Sequence, residues 1–185
     1  MPFFAQLSDL KARIADSGLQ LRKTKTLAGA GVLSALSLAL NQFTIAVSQF
    51  LEIGFSFLAA AVCGFLYGPL VAGCAGVITD LLGYLLRPNG GFFIGFVLSE
   101  FVTGFLYGCW FYKRPVTLLR TFLACLSVVL VVNFCLTPLW LNIMYGNAFI
   151  ITSVRLIKNC IKLPIDTALL YLLLKTVEKQ QLPKK

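Results

Sequence analysis

Long apolar runs, broken by rare charges and by proline–glycine clusters, set the pattern of this chain. From Thr26 to Leu86 the only charged side chains are Glu52 and Asp80. From Pro88 to Tyr112 there is only Glu100, and from Thr121 to Val154 there is none. A helix needs about 20 apolar residues to cross a bilayer. Turn signals cut the runs into six expected spans: Thr26–Val47, Leu51–Tyr67, Pro69–Leu86, Phe92–Tyr112, Pro115–Leu141 and Phe149–Val177. The breaks fall at Gly68-Pro69, Arg87 to Gly91, Lys113-Arg114-Pro115 and Asn142 to Asn147, where glycine and proline end helices for backbone reasons. The pattern predicts an all-α integral membrane protein, a bundle of six transmembrane helices. Its expected layout is an N-terminal segment 1–25, a membrane domain 26–178 and a basic tail 179–185.

Basic residues orient the bundle. Lys11, Arg13, Arg22, Lys23 and Lys25 precede the first span, Lys113 and Arg114 follow the fourth, and Lys175, Lys179, Lys184 and Lys185 close the chain. With six spans these segments share one side, and the positive-inside rule makes it the cytoplasmic one, with both termini there. Residues 3–16 read either as an interfacial helix with Phe3, Leu7, Leu10 and Ile14 on one face, or as a disordered tail. Lys11, Arg13 and Asp16 interrupt any early apolar core, so this is not the pattern of a secretory signal.

Composition agrees with the pattern. Of 185 residues, 58% are hydrophobic and 12% charged, and mean hydropathy is +0.86. A soluble domain is about 45–50% apolar and about 25% charged. Soluble enzyme, nucleic-acid binder and disordered protein are thereby excluded, and the net charge of +9 belongs to basic inner loops. There is no histidine, which removes His-based acid–base chemistry and His metal sites. The six cysteines lie in apolar runs without a CxxC pair and read as small buried hydrophobes. No Walker A pattern is present.

A charge inside a bilayer is costly and marks a site by default. Asp80 stands in the third span with Tyr84 one turn above it, and Glu100 in the fourth, one turn below Phe96. In the sixth span Arg155, Asn159, Lys162 and Asp166 follow i, i+4, i+7, i+11 spacing, with Lys158 beside them. That stripe reads as the cationic wall of an outward-facing anion site, or as snorkelling cations above a structural Lys162–Asp166 pair. Asp80 or Glu100 could neutralise one of these cations or accept hydrogen bonds from a ligand edge. Glu52 is expected at a helix start, where the dipole favours a carboxylate. Phe43, Phe96, Trp140 and Tyr145 belong to an aromatic ring at the outer side, and Asn142 adds a neutral donor and acceptor. In the first span Gly31, Ala35 and Ala39 make a small-residue face, for packing within the bundle or for docking another membrane protein. Asn41 to Gln49 can leave the helix and cover an outer site.

A charged site without an engine suggests a binding subunit driven by partners. At these residues the chain resembles the substrate-binding S components of energy-coupling factor (ECF) vitamin transporters, and most closely the folate-specific type. The resemblance runs from about Thr26 to Val177. It is carried by the Gly31/Ala35/Ala39 face, Leu51-Glu52-Ile53-Gly54-Phe55, Tyr67-Gly68-Pro69, Thr79 to Tyr84 and Pro88 to Phe96. It implies a multi-pass protein of a bacterial cell membrane, not an enzyme, that binds folate on the outer side without a cofactor. It also implies docking through the first span onto a transmembrane T component powered by two ABC-type ATPases, with Asn41 to Leu51 gating the pocket. The alternatives are an S component for another vitamin or precursor, and a small proton-coupled multidrug exporter. On this reading the pterin is sandwiched by aromatics and read by Asp80 or Glu100, and the anionic glutamate tail is met by Arg155 and Lys158.

Overall fold

The computed structural model describes residues 2–42, 45–48, 51–86, 88, 92–145 and 148–181; side chains are described outside 2–8, 45–48, 51–53, 145, 148–158, 160, 161 and 181. In chain order the elements are α1 (Pro2–Gln20), α2 (Thr24–Gln42), β1 (Ile45–Ser48), β2 (Leu51–Ile53), α3 (Ser56–Tyr67), α4 (Pro69–Leu86), α5 (Ile94–Phe111), α6 (Leu118–Val128), a π-helical segment (Val129–Leu136), α7 (Thr137–Tyr145) and α8 (Ala148–Gln181). The six expected spans map onto α2, α3, α4, α5, the rod from α6 to α7, and α8. Among the described residues α4, α5 and the rod Leu118–Met144 are each long and apolar enough to cross a membrane on their own account.

The boundaries between the first and second spans differ most from the sequence reading. The first span ends at Gln42 and the second helix begins at Ser56; between them β1 and β2 form an antiparallel hairpin pairing Ile45 with Ile53 and Ala46 with Glu52. Glu52 therefore stands in a strand and not at a helix start. Ile45, Val47 and Ile53 are β-branched, stiff at χ1, and fit an extended strand better than a helix. The fifth span widens to π geometry just before Pro138, a residue that cannot donate to the carbonyl four positions back and collides with it. Thr137 closes this stretch by donating from its hydroxyl to Val132 O at 2.9 Å.

Lipid tails are as apolar as leucine, so close approach and not the hydrophobic effect holds such helices together. Glycines supply that approach where α4 crosses α5. A Cβ on Gly76 would lie 2.6 Å from Glu100 O, one on Gly73 would lie 2.8 Å from the Phe101 ring, and one on Gly104 would strike Ala72 O. The repeated Gly-Phe-Leu-Tyr-Gly has the same purpose: a Cβ on Gly64 would lie 2.7 Å from Gly108 N. Behind this crossing, Phe111, Ala124, Leu170 and Leu174 form a fully buried core linking α5, α6 and α8.

At one end of the bundle α1 is a docked helix that completes the caps of its neighbours. Ser17 Oγ accepts from Leu70 N at 3.1 Å and Val71 N at 3.4 Å, orphan donors of the first turn of α4, and donates to Tyr67 O. Gly68 makes this turn with φ of 94°, and a Cβ there would also meet Ser17 at 2.7 Å. Arg13, buried, donates to Cys109 O and Tyr112 O at the last turn of α5. Asp16 pairs with Lys113 at 2.8 Å, and Asp9 with Arg114 at 3.0 Å. From the far end of α8, Glu178 accepts from Val116 N at 2.9 Å. The start of the chain and the end of α8 thus share the basic end, as the charge pattern requires.

Candidate functional site

Among the described residues, two cavities inside the bundle adjoin at shared walls. The first, of about 240 Å³, lies among α2, α3, α4 and α5 and is lined by Ser34, Ser37, Asn41, Ser56, Thr79, Asp80 and Glu100 with small apolar residues between them. The second, of about 260 Å³, lies among α3, α5, the π-helical segment and α8 and is lined by Asn41, Ser56, Phe57, Glu100, Thr103, Tyr107, Asn133, Lys162 and Asp166. Asn41, Ser56 and Glu100 line both, so the two chambers adjoin at these residues.

The chambers differ in chemistry. Neither Asp80 nor Glu100 has a hydrogen-bond or ion-pair partner among the described residues, so the first chamber presents two open acceptor groups amid hydroxyls. In the second, Lys162 Nζ lies 3.3 Å from Asp166 Oδ2, 3.5 Å from Gly54 O and 5.1 Å from the centre of the Phe57 ring. Lys162 thereby ties α8 to the residue that follows the hairpin. Asn133 donates to Asn159 Oδ1 at 3.4 Å, joining the π-helical segment to α8. Such widened turns bring an extra residue onto the inner face and recur at functional sites.

Of the residues singled out from sequence, Asp80, Glu100 and Lys162 are brought to the chamber walls. Asn159 is buried behind Asn133. Tyr84 packs on Phe92 with ring centres 5.2 Å apart, at the hairpin end of α4 and outside both chambers. Phe96 and Trp140 flank Phe93, at 6.2 and 5.7 Å, and the Trp140 indole donates to Ser99 Oγ at 3.0 Å. Asn142 is exposed on α7. Phe43 and the side chains of Glu52, Tyr145, Arg155 and Lys158 lie outside the described residues. The sequence reading passed over Ser56 and Asn133 and did not place Asn41 on a wall; a lone neutral residue in an apolar run carries no periodic signal, although intramembrane polarity itself was visible.

Gly31, Ala35 and Ala39 lie on the exposed side of α2, and nothing comes within 4 Å of a Cβ built on Gly31. The opposite side of the same helix carries Ser34 and Ser37 to the first chamber. The small-residue face therefore points away from the bundle and leaves a smooth surface open.

The family model for the ECF transporter substrate-specific component matches residues 25–174. This chain belongs to that family. It is a multi-pass membrane protein and a substrate-binding transporter subunit, not an enzyme. It is 32% identical to the folate transporter FolT of Clostridium novyi (strain NT) over 166 residues, covering 89% of this chain and 96% of the relative. A FolT from Leuconostoc mesenteroides is 29% identical over 150 residues, 77% of this chain and 80% of its own length. In three dimensions the chain is similar to a crystal structure of FolT bound with folic acid, with a TM-score of 0.75 and 39% identity over 80% of this chain and 92% of that one.

Proposed function

We propose that this S component captures folate from the outer side and delivers it to an ATP-driven import module. The observation that carries the reading is the pairing of two carboxylates without a partner among the described residues, Asp80 and Glu100, with a lysine-bearing chamber next door. A pterin edge offers adjacent N–H donors, and a carboxylate accepts two of them side by side. The rest of folate ends in a dianion, for which Lys162 and the α8 positions Arg155 and Lys158 supply positive charge. Phe43, Phe96, Trp140 and Tyr145 are proposed as the aromatic surround, with Tyr84, Glu52, Asn142 and Asn159 at its margin. Each chamber alone is small for folate; they adjoin at Asn41, Ser56 and Glu100, and joined they would reach the volume of ordinary ligand pockets.

The outward face of Gly31, Ala35 and Ala39 is proposed as the seat of a transmembrane T component with two ABC-type ATPases, since small residues let a second helix approach closely. The test is calorimetric titration of the purified protein with folic acid, with riboflavin and thiamine as controls. Tight one-to-one folate binding, weakened in Asp80→Asn or Glu100→Gln, supports the reading. Binding of a control alone moves the substrate and keeps the family; silence with all three removes the reading.

A further inference from the structure

Of the two acids and five cations between residues 9 and 25, both acids and one cation are held by partners within the bundle, and four cations are left exposed. Asp9, itself exposed, pairs with Arg114 at 3.0 Å and with Arg13 at 3.3 Å, and Asp16 pairs with Lys113 at 2.8 Å. Arg13 is buried against the last carbonyls of α5. The other cations, Lys11, Arg22, Lys23 and Lys25, are exposed and form no ion pair among the described residues. Lys11, Ala15 and Leu19 follow helical spacing along one exposed stripe of α1, in which Leu19 is 61% exposed, and Arg22 follows in the turn after the helix. Ion pairing has thus matched both carboxylates with cations of their own and left a basic stripe with an apolar residue in it. A helix of this kind, fixed at the end of a transmembrane bundle, lies where headgroups begin.

We propose that this stripe, continued by Lys23 and Lys25, is a docking surface for the anionic headgroups of the lipid leaflet at the basic end of the bundle. The intramolecular pairs of Asp9 and Asp16 serve as its positioning device, because they fix which side of α1 faces outward. The surface acts independently of the ligand in the chambers.

The test uses the whole chain in nanodiscs of phosphatidylcholine carrying traces of spin-labelled phosphatidylglycerol or spin-labelled phosphatidylcholine, and compares the motionally restricted fraction of each. Exposed cations near a charged surface contribute additively, so a preference of about 3-fold for phosphatidylglycerol is expected, falling with added salt. The variant Lys11→Gln/Arg22→Gln/Lys23→Gln/Lys25→Gln should lose most of the preference while its thermal melt stays unchanged. Equal restriction of the two lipids by the natural chain overturns the proposal. Full preference in the folded variant also overturns it, by placing the effect on other basic groups. An unselective natural chain whose assembly with the T component is weakened by the same substitutions would reassign the stripe to a protein partner.

Discussion

Lys162 Nζ sits 3.3 Å from Asp166 Oδ2, one helical turn along α8, and the pair bounds the second chamber with both side chains largely buried, at 23% and 19% exposed. An i,i+4 pair in water contributes little. Here the two side chains face each other inside the bundle, and removing Lys162 would leave Asp166 without that cation in a site of low polarity. Lys162→Met is expected to weaken folate binding by about 10–100-fold, the loss of one charge-assisted contact, and to lower the melting temperature as well. Calorimetry and a thermal melt read the two effects separately. Lys162→Arg, which keeps the charge, should restore much of the stability.

Ser99 offers the other polar anchor near the site. Its hydroxyl accepts from the Trp140 indole at 3.0 Å and donates to Gly95 O at 3.2 Å. Ser99→Ala leaves a partly buried indole N–H without its partner, a cost of about 1–3 kcal/mol. The expected result is a lower melting temperature and a changed Trp fluorescence. Trp140→Phe should lose less, since it removes donor and demand together.

Glycine positions give opposite expectations on neighbouring helices. Gly76→Ala would set a Cβ 2.6 Å from Glu100 O, which is backbone and cannot swing aside. The helices must part, at a cost of about 1–3 kcal/mol, and Glu100 moves with α5. Both the melting temperature and folate affinity should fall. At Gly31, on the exposed side of α2, a Cβ meets nothing within 4 Å, and the test there is Gly31→Leu. It should leave folding and folate binding intact, yet reduce ATP-driven uptake in vesicles holding the complete transporter.

Acid should loosen α1. Hydrogen bonding by Arg114 holds Asp9 below the ordinary carboxylate value of 3.8. Hydrogen bonding by Lys113 and Tyr112 does the same for Asp16. A carboxylate whose folded pKa is depressed adds stability above its unfolded value and loses it as pH falls through the folded one. Proteolysis of α1 should therefore be unchanged from neutral pH down to about 4 and accelerate only below it. Asp9→Asn/Asp16→Asn should show the faster cleavage already at neutral pH, and both proteins should behave alike in acid.

By itself the sequence determined what length and polarity can decide. A run of apolar residues between charges must lie in lipid, so α4, from Pro69 to Leu86, was legible residue for residue, and α5 to within a few residues. Charge asymmetry likewise placed the N-terminal segment, the Lys113–Arg114 turn and the tail together. The cost of burying charge marked Asp80, Glu100 and Lys162 before any geometry was known. Tertiary structure decided the rest because it depends on approach between distant segments. Ile45–Ser48 and Leu51–Ile53 are strands because they pair with each other, and each alone is apolar enough to pass for the end of a span. Ser17 caps α4 and Arg13 caps α5 from a helix that precedes both. Asn41, Ser56 and Asn133 became chamber walls only when α2, α3 and the widened turn before Pro138 converged. Gly31, Ala35 and Ala39 were small on any reading; that they face outward was decided by which side of α2 carries Ser34 and Ser37 to the cavity.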